Sequence, residues 1–266
     1  MDTQPSLPRP SVTDSRSRQP QKEEDSLGVS LPQRQVYTSK YRASWPTLRP
    51  LPLEAGHRPL PTPMEECRCE IEIGAKKVLE KYELMDDGDE TEVSVCWRQV
   101  PMRSHTAVPT LYIVTPWKED AKQVWPQAVQ DLVNMVEDTF QGHGHQYMTC
   151  SVEMLAPERV KRKYLGVTHE PGLLSAWPNL QASVREILNS FEATRARWNS
   201  IALFRLGFLK DPACNPMTVF IAVDYDSDET KWDEVIDRIK HALEEAGWGS
   251  LEVHIEHNSW DIGLFD

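Results

Sequence analysis

The chain predicts an α+β protein whose mixed sheet is built from two similar α-β-β-α-β halves behind a disordered N-terminal tail. Three observations carry that prediction. Apolar residues recur at helical spacing in four segments, short runs rich in Val, Ile, Tyr and Phe lie between them, and the composition changes abruptly near residue 63.

Residues 1–63 hold 11 of the 20 prolines and nine Lys/Arg against six Asp/Glu, a net of +3. The other 203 residues carry 20 Lys/Arg against 35 Asp/Glu, a net of −15. With few aliphatic residues and no period, 1–63 reads as a disordered, basic, Pro-rich tail that cannot bury enough surface to offset its conformational entropy. Within it, Tyr37–Pro50 mixes Tyr37, Tyr41, Trp45, Lys40, Arg42 and Arg49, a composition suited to folding on a protein partner. The plainer reading of that stretch is a linker.

The first helix is expected over 66–84, on Ile71, Ala75, Val78 and Tyr82. Strands follow at 93–98 and 110–115, then a helix over 126–141 on Ala128, Val129, Leu132, Val136 and Phe140 with Pro126 in its first turn. A strand at 146–154 closes the first half, 64–155. The second half, 156–266, reads as a helix over 178–197, strands at 200–206 and 217–223, a helix over 228–246 and a strand at 251–257. Helix 228–246 has the clearest period: Trp232, Val235, Ile236, Ile239, Ala242, Leu243 and Ala246 share one face, and Gly247 ends it.

A shift of 107 residues lays Val93–Gly142 on Ser200–Gly249 without a gap, pairing Arg98 with Arg205, Trp125 with Trp232 and Leu132 with Ile239. If the match is a duplication, each half is a split β-α-β unit, and 146–257 alone has the β-α-β-β-α-β, ferredoxin-like order. Trp125, Trp177 and Trp232 stand at helix starts and Trp198 and Trp248 at helix ends, where a large apolar group fastens the helix to the core.

Composition excludes several classes. No apolar run approaches the roughly 20 residues of a membrane-spanning helix, and the N-terminus lacks the apolar segment of a secretory signal. Five Cys (67, 69, 96, 150, 214) make an odd, sparse set, so a disulfide framework is not expected and a reducing cytoplasmic or nuclear address is. A folded part at −15 repels a phosphate backbone, which disfavours nucleic acid; the one basic cluster outside the tail is Glu158–Tyr164. No Gly-rich phosphate loop, nucleophile elbow or zinc-finger spacing occurs. Cys67 and Cys69 stand alone, and His143 and His145 fit a helix C-terminus better than a metal.

One segment invites chemistry. Thr218-Val-Phe-Ile-Ala-Val-Asp-Tyr-Asp ends an apolar strand with D-x-D, the way haloacid-dehalogenase-type phosphatases and metal-using glycosyltransferases hold a divalent cation. It departs from the phosphatase pattern in having Ser227-Asp228 where Gly-Thr should follow, and an EF-hand fails at Glu229 and Val235. The β-α-β crossover makes strands 217–223 and 251–257 parallel, so Asp224 and Asp226 share a sheet edge with His254, Glu256 and His257, a workable carboxylate and imidazole set for a divalent metal. The competing reading has Ser227 or Asp228 capping the next helix, with the neighbouring acids facing its dipole.

The block T-V-F-I-A-V-D-Y-D-S-D-E-T-K-W…L-E-V-H-I-E-H-N resembles uncharacterised proteins common in filamentous fungi. That resemblance implies a fungal source, no assigned activity and no catalytic residue. The sequence thus leads to an intracellular, non-enzymatic binding or scaffolding module engaging a protein through 37–50. The alternative is a divalent-metal-dependent enzyme, a phosphate-ester hydrolase for instance, with Asp224 and Asp226 as ligands and His254 or His257 as acid/base.

Overall fold

A computed structural model describes residues 34–85 and 91–258. The protein is α+β, with two mixed sheets. The first is built from β1 (Tyr37–Ser39), β2 (Arg42–Trp45), β3 (Glu54–Ala55), β4 (Glu92–Val100), β5 (Arg103–Val114) and β6 (Ser151–Leu155), in the order β1-β2-β6-β5-β4-β3. Helices α1 (Thr62–Lys81) and α2 (Ala121–Gly142) cover one of its faces. The second sheet takes β7 (Tyr164–Gly166), β8 (Trp198–Gly207), β9 (Met217–Val223) and β10 (Glu252–His257) in the order β10-β9-β8-β7, under α3 (Pro171–Ser190) and α4 (Trp232–Glu245). Among the described residues no helix is long and apolar enough to cross a membrane.

The expected tail divides. Residues 1–33 lie outside the described residues, whereas 34–63 enter the fold, and the compact unit begins at Arg34. β1 and β2 extend the first sheet beyond β6, with Arg42 opposite Leu155 and Ser44 opposite Glu153. Residues 46–53 then cross the face that carries no helices and deliver β3 to the far edge, against β4. In this strap Arg49 donates to the Arg98 and Thr106 carbonyls, both at 2.9 Å, and Leu51 packs on Tyr112, Val114 and Leu155. Segment 37–50, which reads as a linker or as a stretch suited to folding on a partner, is ordered in the structure on this chain's own sheet. Its few apolar residues suffice because a sheet edge supplies the missing hydrogen bonds.

The second half repeats the plan. Residues 156–163 lead from β6 to β7, which pairs with β8, so both halves run β-α-β-β-α-β in one sheet order, β6-β5-β4-β3 and β10-β9-β8-β7. Two expectations are corrected here. Strand 146–154, expected to open the ferredoxin-like order, shortens to β6 and belongs to the first sheet; β7 takes its place. Nor is the β-α-β unit split, because β5–β6 and β9–β10 pair directly and in parallel.

The 107-residue shift holds for the helices α2 and α4, where Trp125, Leu132 and Val136 match Trp232, Ile239 and Leu243, all buried. In the strands it is one residue short. Val95 faces Leu111, and the same pair in the second half is Leu203 and Val219, a shift of 108. A one-residue slip turns a strand over, so Arg98 and Arg205 lie on opposite faces and their identity carries no equivalence. Met64, Ile71, Ala75 and Leu79 of α1 match Leu173, Leu180, Val184 and Leu188 of α3 at a shift of 109. Gly56 and Gly166 match at 110: Gly56 follows β3 and Gly166 is the last residue of β7, and an added Cβ would lie 2.9 Å from Trp97 Cβ or 2.5 Å from Pro212 Cβ.

Helix limits also move. α2 begins at Ala121 because Ala121 and Trp125 continue its buried stripe upstream, which leaves Pro126 inside the helix rather than in its first turn. α3 spans 171–190 rather than 178–197; beyond it Thr194 Oγ1 turns back to the Leu188 carbonyl, and Ala196 takes a positive φ of 56°.

Candidate functional site

The parallel pairing of β9 and β10 sets their C-terminal ends side by side, with His257 opposite Val223. The residues expected there as metal ligands nevertheless point to three places. Asp224 accepts from Asn199 Nδ2 at 2.8 Å, and the exposed Asp226 pairs with Arg197 at 2.7 Å. Asp228 caps the 3-10 turn that leads into α4, accepting from Thr230 N at 3.0 Å. Ser227, the other cap candidate, donates instead to the Ala193 carbonyl and accepts from Trp232 Nε1.

Alternation along β10 puts His254 and Glu256 on one face and His257 on the other. His254 Nε2 lies 2.9 Å from Glu256 Oε2, and the Lys163 ammonium sits 3.0 and 3.1 Å from these two atoms. His257 Nε2 donates to the Ser227 carbonyl at 3.1 Å, and its ring stands 4.6 Å from that of Trp232. Asp224, Asp226, His254, Glu256 and His257 thus do not converge, and among the described residues no group of three or more His, Cys, Asp or Glu is placed to hold a metal ion. His143 and His145 fasten the end of α2 to Glu70 and Glu66 of α1, at 2.9 and 3.2 Å. All five cysteines are free thiols.

The chemistry gathers where the two sheets meet. Glu229, beside the cap, is 5% exposed and accepts from Ser39 Oγ at 2.7 Å, from Arg159 at 2.8 Å and from Arg42. Arg42, fully buried on β2, also donates to Glu153 at 2.8 Å and to the Arg49 carbonyl. Glu153 on β6 in turn accepts from Arg98 on β4, whose guanidinium lies 4.3 Å over the Tyr112 ring. Arg49 and Arg159 each stand six residues before the edge-strand residue, Ala55 or Leu165, that faces the partner strand. One arginine from each of the two segments thus reaches the same junction. The basic run 158–164 supplies Arg159 and the half-buried Lys163 to this junction.

Burial would raise the Glu229 carboxyl, but Arg42, Arg159 and the Ser39 hydroxyl outweigh it and hold it at about 2. Glu256 is also held at about 2, against the effect of burial, by His254 and Lys163. Burial pushes the Tyr112 phenol up to about 12 and lowers both His254 and His257, which leaves the two imidazoles neutral at pH 7. Arg49 and Arg159 are lowered chiefly by burial, the mark of cations with incomplete compensation.

Two adjoining cavities of ≈ 410 and ≈ 200 Å³ open here and share Arg159, Lys163, Glu229 and Trp232. The larger adds Arg98, Tyr112 and His257 below the strap residues Leu51–Leu53. Its charged lining is Arg98, Arg159 and Lys163 against Glu229 and Glu256, joined through hydrogen bonds to Arg42, Arg49 and Glu153, while the adjoining cavity adds Lys40 against Glu158, Asp233 and Glu252, in a chain whose net charge is −12. Such a site can hold an anion and orient it between guanidinium groups, because Glu229 and Glu256 are already committed to cations; at the smaller cavity Glu158 Oε2 is buried without a hydrogen-bond partner. No protein-family model, curated protein or solved structure matches the chain.

Proposed function

We propose that the protein is an intracellular, non-enzymatic binding module that takes a small anionic ligand into the cleft between its two halves. The observation that carries this reading is the local excess of buried positive charge around a 410 Å³ cavity in an acidic protein. Buried cations persist when paired, and an anion with two or more oxygens would complete the set formed by Arg98, Arg159 and Lys163. Concave sites with a few convergent polar groups and shifted titrations are where ligands bind. The Tyr112 ring below Arg98 and the nearby Trp232 and Leu51–Leu53 supply apolar walls for the ligand's body.

The test is a thermal melt of the full chain with inorganic phosphate, citrate, a sugar phosphate and sodium chloride at matched ionic strength, beside Arg98→Gln. An anion at about 100 times its dissociation constant adds about 2.7 kcal/mol, a rise of roughly 5–10 °C for a chain of this size. A rise with one anion class that Arg98→Gln removes supports the cleft as its site. Equal rises with every salt, chloride included, would sink the reading.

A further inference from the structure

Across Arg42 from that cleft lies another cavity, of ≈ 260 Å³, between the start of α2, the strand β1 and the turn before α4. Two of its lining residues carry buried donors with no acceptor: Arg42 Nε and Trp125 Nε1. Arg42 is 0% and Trp125 1% exposed, so neither donor reaches solvent. An unsatisfied buried N–H costs about 1–3 kcal/mol, and two on residues that line one cavity point to an acceptor supplied from outside the chain. We infer that this cavity is a binding site for a small organic monocarboxylate, with one carboxylate oxygen accepting from Arg42 Nε–H and the other from Trp125 Nε1–H.

The charge balance selects a monoanion. The other two nitrogens of Arg42 already serve Glu229 and Glu153, and at the rim Lys122 is paired with Asp233 at 2.7 Å. A dianion such as phosphate would bring a second negative charge close to Asp233 and Glu229 with no further cation to meet it. The walls suit an organic body, because Trp117 packs edge-on against Trp125 with ring centroids 4.9 Å apart. The amino end of α2, at Ala121, adds its dipole. Trp125 lines neither cleft cavity, whereas Ser39 and Asp233 line both this cavity and the smaller one of the cleft.

The experiment is a titration of the ¹⁵N-labelled full chain, read on the indole N–H resonances of its nine tryptophans. The titrants are acetate, butyrate and benzoate, with sodium chloride and inorganic phosphate as comparisons. The Trp125 resonance, identified as the one missing in Trp125→Phe, is expected to move saturably with a carboxylate and not with chloride. Trp125→Phe keeps the ring, loses the N–H, and is expected to bind at least about tenfold more weakly. Thr38→Leu, which fills the cavity from β1 and leaves both donors in place, is expected to abolish saturation, and it serves if Trp125→Phe does not fold. A Trp125 resonance that does not move, moves linearly with every salt, or saturates more tightly with phosphate than with any carboxylate overturns the inference.

Discussion

Arg42 and Glu229, 187 positions apart, form an ion pair with almost no solvent access at the junction of the two sheets. One sits on a four-residue strand in the Pro-rich N-terminal part, the other in the turn that starts the last helix. One charge comes from the strand that extends the first sheet and the other from the second half, so the pair and its neighbours Ser39, Glu153 and Arg159 tie the two sheets together.

Removing either partner leaves the other buried and uncompensated. Glu229→Gln and Arg42→Met are each expected to cost about 3–5 kcal/mol in urea unfolding. The double variant should cost less than the sum, by about 1–3 kcal/mol. Strict additivity would show that the two charges are not coupled.

Stability should fall with pH in two steps. His254 and His257 are lowered in the folded state, so below about pH 6.5 the unfolded chain takes up protons that the folded chain refuses, and stability declines. Glu229, held at about 2 against an ordinary 4.5, contributes roughly 3 kcal/mol above pH 4.5 that is lost as pH falls toward 2. Melts between pH 8 and 3 test both windows, and His257→Asn should flatten the upper one.

Gly56→Ala and Gly166→Ala force a Cβ against Trp97 and Pro212 and are each expected to cost about 1–3 kcal/mol. Gly142→Ala, with nothing within 4 Å, should be neutral or stabilising by up to about 1 kcal/mol. Matched losses at the first two positions and none at the third, in thermal melts, would establish the two glycines as equivalent.

The acidic run should divide by role. Asp228→Ala removes the cap on Thr230 and is expected to cost about 1 kcal/mol. Asp224→Asn with Asp226→Asn disturbs only surface contacts and should cost less than about 1 kcal/mol. Melts in EDTA and in Mg²⁺, Mn²⁺, Ca²⁺ or Zn²⁺ are expected to coincide; a metal-dependent rise lost in the Asp224/Asp226 variant would restore the metal set.

A chain beginning at residue 34 should melt cooperatively and one beginning at residue 64 should not. The shorter one lacks β1, β2, the strap and Arg42, and it leaves Glu153 and Glu229 without their buried cation. Circular dichroism melts of the two decide it.

What the sequence by itself determined is the local structure that hydrophobic period can encode. The stripe from Trp232 to Leu243 specifies α4, and the runs 217–223 and 251–257 joined by that helix specify a parallel crossover, because a 3.6 or 2.0 period survives in the residue order. Strand phase was harder to read. Helices α2 and α4 obey a 107-residue shift, β4 and β5 against β8 and β9 one of 108, and α1 and α3 one of 109, and an alignment without gaps cannot hold all three. Arg42, Arg49 and Glu229 had no periodic signal at all: the arginines lie in a stretch whose composition looks unstructured, and Glu229 looks like any acid at a helix start. Only the tertiary structure decided that a Pro-rich strap and a strand-edge extension would bury those arginines against the second half. Burial of charge depends on which distant group supplies the counter-charge, and that pairing exists only once the chain between Arg42 and Glu229, 187 positions apart, has folded.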